Sequence, residues 1–160
     1  MLHIAGIDFK DTRVAFKDWP AFKPTMPLGS MPILKIDGAD HCQSMALARY
    51  AAKKAGYYPE DPLEALIVDE VMDTCNEIMS KAPRDPDADV MKKMRQDWQV
   101  GQLTQYANFI ENKIQASGGK SVVKTPSVAD IAVSAFVDAI SSGTWDYIDA
   151  DFFNQFPGMM

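Results

Sequence analysis

Apolar residues in the first sixty positions come in short clusters broken by proline, glycine and aspartate, whereas beyond Pro62 they recur every three or four residues over long stretches. The first pattern predicts short strands and turns, the second long amphipathic helices. Residues 1–7 read as the tail of a helix stopped by Gly6, and Thr12-Arg13-Val14-Ala15-Phe16 as a short strand. Trp19-Pro20, Pro24, Pro27 and Gly29 make 17–30 an irregular loop with one helical turn. Strands at 32–36 and 39–41 flank Asp37-Gly38, a pair suited to a hairpin turn. A helix follows from Ser44 to Ala55 and stops at Gly56.

Pro59-Glu60-Asp61-Pro62 punctuates the chain and predicts a domain boundary between residues 1–57 and 62–160. Leu63, Leu66, Ile67, Val71, Cys75 and Ile78 then share one helical face over 63–81. Pro83 and Pro86 interrupt the pattern. A second long helix spans 87–116, with Val90, Met94, Trp98, Leu103, Tyr106, Ile110 and Ile114 in register, and Gly118-Gly119 ends it. A third opens at Ser127, where Ser127 and Asp130 have the spacing of a capping box. A short helix near 147–153 precedes Phe156-Pro157-Gly158. The order is a small mixed α/β part followed by an all-helical part, with no internal repeat.

A chain of 160 residues with 47% apolar content can bury a real core. No apolar run approaches the roughly 20 residues of a membrane helix, and the opening residues lack the basic start of a signal peptide. The formal net charge of −6, with acids spread along the chain, argues against a nucleic-acid surface as the main function, and with no long apolar run no membrane partner is expected. Cys42 and Cys75 make no disulfide framework, so a reducing, cytoplasmic setting is expected. His3 and His41 have no metal-ligand companions at useful spacing, and no metal is assigned.

Candidate chemistry concentrates in Leu28-Gly29-Ser30-Met31-Pro32 and in Gln43-Ser44. A proline entering a strand cannot donate to the ladder. A cis bond there would turn the Met31 backbone outward, able to pair with an extended peptide; a plain strand-entry proline is the other reading. Ser44 stands where a helix N-terminus can hold a carboxylate. It is also a plausible N-cap, although capping alone does not explain the glutamine before it.

These residues, with Asp18-Trp19-Pro20-Ala21-Phe22-Lys23 before them, Arg49-Tyr50 after them and Ser127-Val128-Ala129-Asp130 in the second part, resemble the cytosolic glutathione transferases, the sigma-like branch most closely. The resemblance covers nearly the whole chain. It implies a thioredoxin-like α/β N-terminal domain, here incomplete, and an all-α C-terminal domain. It implies glutathione as co-substrate, with no permanently bound cofactor, conjugation to electrophilic apolar substrates, and a homodimer. By the same resemblance Trp19 and Lys23 hold the glycyl carboxylate, and Met31 pairs its backbone with the cysteinyl unit. Pro32 holds the cis bond, Gly29 and Ser30 form the approach, and Gln43 and Ser44 hold the γ-glutamyl carboxylate. An acid from the partner subunit meets the glutamyl ammonium. Glu77 matches that position, where the family has aspartate, and Asp73, one turn earlier, is the second candidate.

The thiol-activating tyrosine of the family lies on a first strand that precedes the residue matching Met1, so no catalytic residue carries over. That strand is internal to the family's sheet, and its loss is expected to leave neighbours unpaired. The chain therefore reads as incomplete at both ends. Two alternatives accompany the enzyme reading: a non-catalytic relative, crystallin-like or a glutathione-binding scaffold, and a helical interaction module with a vestigial first domain.

Overall fold

The computed structural model describes residues 1–160, which divide into two compact units, Met1–Tyr58 and Pro59–Met160. The first is mixed α/β and the second is all helical, the fold class expected from the sequence.

In the first unit, residues 1–7 form a single helical turn. Ile7 N–H donates to Leu2 C=O at 3.0 Å and Gly6 N–H to His3 C=O at 3.1 Å, with Gly6 at φ 64°. This is the Schellman arrangement that satisfies the last carbonyls of a helix, and the left-handed residue it needs is the glycine. Residues 12–16 form no strand. A strand is stabilised by its ladder, and nothing pairs with this segment; Arg13 makes a local bond to Asp11 at 2.9 Å, and Phe16 is 95% exposed. The proline-rich loop holds two 3-10 turns, Phe16–Asp18 and Lys23–Thr25, around the one-turn helix α1 (Trp19–Phe22).

Strands β1 (Leu34–Ile36) and β2 (Ala39–His41) pair antiparallel, Leu34 opposite His41 and Ile36 opposite Ala39. Asp37 at φ 49° and Gly38 at φ 84° supply the two left-handed residues of a tight hairpin. Lys35 reaches across to Asp40 at 3.2 Å. The first strand is shorter than the expected 32–36, because Pro32 lacks the N–H a ladder requires. Helix α2 (Ser44–Ala55) ends at Gly56, which takes φ 76°. Only Ala52 is buried among residues 1–58.

The second unit holds the core. Helix α3 (Pro62–Lys81) is capped by Asp61, whose carboxylate accepts the Leu63 and Glu64 N–H groups. It buries Val68, Val71, Met72, Cys75 and Ile78, whereas Leu63 and Leu66 stay exposed. The expected helix over 87–116 is three pieces: α4 (Ala88–Trp98), a π segment (Gln99–Leu103) and α5 (Thr104–Ala116). The extra residue in the π turn leaves the Gln99 carbonyl with a longer reach, and the Thr104 hydroxyl donates to it at 2.7 Å.

Helix α6 (Val128–Ser141) packs along α3 and contributes Val133, Phe136 and Ile140 to the core. The expected capping box is formed: Asp130 accepts the Ser127 N–H at 2.7 Å and Ser127 Oγ accepts the Ala129 N–H. Asp130 also accepts the Val122 N–H at 2.7 Å, tying the preceding loop to the helix start. The expected 147–153 helix is instead a 3-10 turn at Phe152–Gln155, where Phe153 packs edge to face on Phe152 and Phe156, and those two are tilted against each other. No helix is long and apolar enough to cross a membrane.

Candidate functional site

The sequence-expected binding residues of the first unit fall on three consecutive features: the loop around α1, the approach to β1 and the start of α2. Trp19 opens α1, half-buried, and Lys23 follows it, exposed. Gly29, at φ 59°, lies against the lysine stem; a Cβ on Gly29 would sit 3.7 Å from Lys23 Cε. The two are therefore neighbours in space across six residues of chain, which fixes the approach loop beside the ammonium.

The Met31–Pro32 peptide bond is cis. Met31 is 47% exposed and makes no backbone hydrogen bond, so its N–H and C=O are open to an extended ligand. Ser30 is exposed beside it.

Gln43 is the N-cap of α2 and takes φ 76°, ψ 103°, a conformation L-residues with side chains rarely adopt. Backbone held in such a region costs of order 1–3 kcal/mol and persists where its surroundings impose it. The Gln43 carbonyl accepts the Leu47 N–H at 3.0 Å, and no side chain caps the helix. Helices α3, α4 and α6 each receive a side-chain cap, from Asp61, Asp87 and Ser127. The N–H groups at the head of α2 thus keep their partial positive charge for an anion. Ser44, the first helical residue, is exposed with its hydroxyl at that end.

Leu34, Ile36, Cys42, Ala46, Leu47 and Tyr50, with His41, line an open, mainly apolar cavity of about 350 Å³ between the hairpin and α2. None of the expected glutathione contacts lines it.

Glu77 belongs to the second unit, on α3, and is not an isolated carboxylate. It pairs with Lys81 one turn further on and accepts the Tyr106 hydroxyl at 3.0 Å from α5. Gln102 Nε2 donates to the Tyr106 oxygen at 2.9 Å, and Trp98 Nε1 donates to Gln102 Oε1 at 3.1 Å. The bond to Lys81, then that to Tyr106, holds the Glu77 carboxyl below its usual range. Desolvation, reinforced by Glu77, raises the Tyr106 phenol, and the Glu77 bond raises Lys81. The sequence singled out Glu77, placed Tyr106 only in register on its helix, and gave Gln102 and Lys81 no role. The 98–102–106 spacing and the 77–81 spacing each mark neighbours on one helix face, while the link between α3 and α5 is tertiary and has no local signature.

Elsewhere on α4, Trp98 is buried against Trp145 with ring centroids 6.2 Å apart, whereas Met94 is exposed and Met91 half-buried.

No protein-family model matches the chain. A glutathione S-transferase of Anopheles gambiae is 31% identical over 144 residues, covering 88% of this chain and 71% of the relative. The hematopoietic prostaglandin D synthase of Gallus gallus is 39% identical over 94 residues, and the match spans 58% of this chain and 47% of that protein. Among solved structures, the prostaglandin synthase D of Nilaparvata lugens superposes with a TM-score of 0.85 at 28% identity, covering 99% of this chain and 78% of that one. A sigma class transferase of Fasciola hepatica shares the fold, with a TM-score of 0.81 at 19% identity. The length and level of the Anopheles match, the superposition across nearly the whole chain and the two-part architecture agree: this chain belongs to the glutathione S-transferase family.

Proposed function

We propose that this protein binds glutathione through residues 1–57 and conjugates it through its thiol to electrophilic, apolar substrates, the new C–S bond replacing the thiol S–H and a leaving group such as the halide of an aryl halide, as a cytoplasmic homodimer whose helical part spans 62–160. Glutathione is a co-substrate and no cofactor is held permanently. The observation that carries the reading is the uncapped head of α2, presented by Gln43 in a left-handed conformation a short way along the chain from the unpaired backbone of Met31. One anionic end and one extended backbone are what a γ-glutamyl tripeptide offers.

In this arrangement Gln43 and Ser44 hold the glutamyl carboxylate and Met31 pairs with the cysteinyl unit behind Pro32. Gly29 and Ser30 shape the approach, and Trp19 and Lys23 take the glycyl carboxylate as two donors. Lys suits that task as a compact point charge. Glu77, from a second copy of the chain, answers the ammonium. A free thiol has a pKa of about 8.5, so the reaction needs the thiolate stabilised before it attacks an electrophilic carbon.

The test is conjugation of glutathione to a simple aryl halide, followed spectrophotometrically, in the wild-type chain and in Gln43→Ala. The reading expects turnover that falls at least about tenfold in the variant, the loss of one charge-assisted contact. A non-catalytic glutathione-binding scaffold is the second reading. Retention on immobilised glutathione without turnover would select it. Neither retention nor turnover would sink both.

A further inference from the structure

We propose that Lys81 tunes the Glu77 carboxylate against the ammonium group of bound glutathione, so that lysine and ligand compete for one acid. The inference rests on the proposed function, in which Glu77 meets that ammonium.

Glu77 sits at the end of a hydrogen-bond chain that runs in one direction. The buried Trp98 indole donates to Gln102, Gln102 donates to the Tyr106 oxygen, and Tyr106 donates to Glu77 Oε1. The chain is anchored in the core at Trp98 and ends on a carboxylate whose side chain is 42% exposed. The acid is thereby aimed by α5 while remaining open to solvent.

Lys81 pairs with the same Oε1 from one turn along α3. A glutamate placed four residues before a lysine is the favourable order on a helix. The extra methylene relative to aspartate lets one oxygen serve both Lys81 and Tyr106. The lysine charge offsets much of the field that Glu77 would present to a second cation. Because the pair is exposed, its coupling is weak. An incoming ammonium can therefore displace it, and its removal should change affinity modestly, by about two- to fivefold.

Two ligands separate this role from a structural one: glutathione, and the same tripeptide with its amino group replaced by hydrogen. Calorimetric titration at low salt compares wild type, Lys81→Met, Glu77→Gln and the double variant. The proposal expects Lys81→Met to bind glutathione about two- to fivefold more tightly and the deaminated peptide unchanged. It expects the gain to vanish in the double variant. A gain equal for both ligands, no gain, or a gain that survives Glu77→Gln overturns it. If wild type binds glutathione yet Lys81→Met brings no gain that depends on the amino group, only the Lys81 role fails. If wild type binds neither peptide, the functional reading fails and takes the Lys81 role with it.

Discussion

Tyr106 donates its hydroxyl to Glu77 at 3.0 Å, a bond between α5 and α3 across 29 positions of sequence. It settles the state of both groups. The phenol is held neutral as a donor, and the carboxyl is held ionised as an acceptor.

Tyr106 should therefore titrate above the ordinary phenol range, as desolvation and the Glu77 bond and charge disfavour its phenolate. A folded-state value raised above the unfolded one gives stability that is complete below about pH 10 and is lost as pH rises through the folded value. Glu77 works in the opposite sense: its lowered value gives stability present above the ordinary carboxyl range and lost as pH falls. Ultraviolet difference titration of wild type against Tyr106→Phe checks this. A phase above the ordinary phenol range should disappear in the variant, and its absence from the wild type would contradict the bond.

Cys75 and Cys42 should separate cleanly by thiol labelling. Cys75 is 3% exposed on the core face of α3, and burial pushes its thiol up to about 12, while Cys42 is half-buried on the hairpin–α2 cavity. One thiol should react in the native chain near neutral pH and the second only in denaturant. Because the Cys75 value is raised on folding, its contribution to stability is constant below about 9 and declines as pH climbs towards about 12. Two thiols reacting at equal rates in the folded protein would show that α3 is not packed as described.

Asp130 receives the Ser127 and Val122 N–H groups, each at 2.7 Å, so it joins the loop before α6 to the helix itself. Asp130→Ala should cost about 2–3 kcal/mol by denaturant unfolding, more than the ~1 kcal/mol of an ordinary cap, since two backbone donors lose a charged acceptor. Ser127→Ala should cost about 1 kcal/mol, and the double variant less than the sum, because both residues serve one box. A loss below half a kilocalorie for Asp130→Ala would mean that the loop does not depend on it.

How much of this is legible in the sequence depends on how local each signal is. The hairpin at Asp37-Gly38, the stop at Gly56 and the Ser127–Asp130 box are set by residues within a few positions of one another, and each appeared where the sequence put it. The strand expected at 12–16 failed because β-branched and aromatic residues encode a preference for a ladder without supplying its partner. The π segment at Gln99–Leu103 was invisible for the opposite reason, since an extra residue in a helix keeps neighbours at 98, 102 and 106 on one face. At the candidate site, the residue types of Gln43 and Ser44 were readable, but the left-handed backbone of Gln43 and the lack of a capping side chain were not. The engagement of Glu77 with Tyr106 needed the packing of two helices to appear.

The measurement that bears most directly on the central claim is a nuclear magnetic resonance titration of the full chain with glutathione, following backbone amides. If the peptide pairs with the open backbone of Met31 and its carboxylate rests on the head of α2, the largest shifts should fall on Met31 and on Ser44 and the two residues after it. Saturable shifts confined to other segments, with those amides unmoved, would contradict the account.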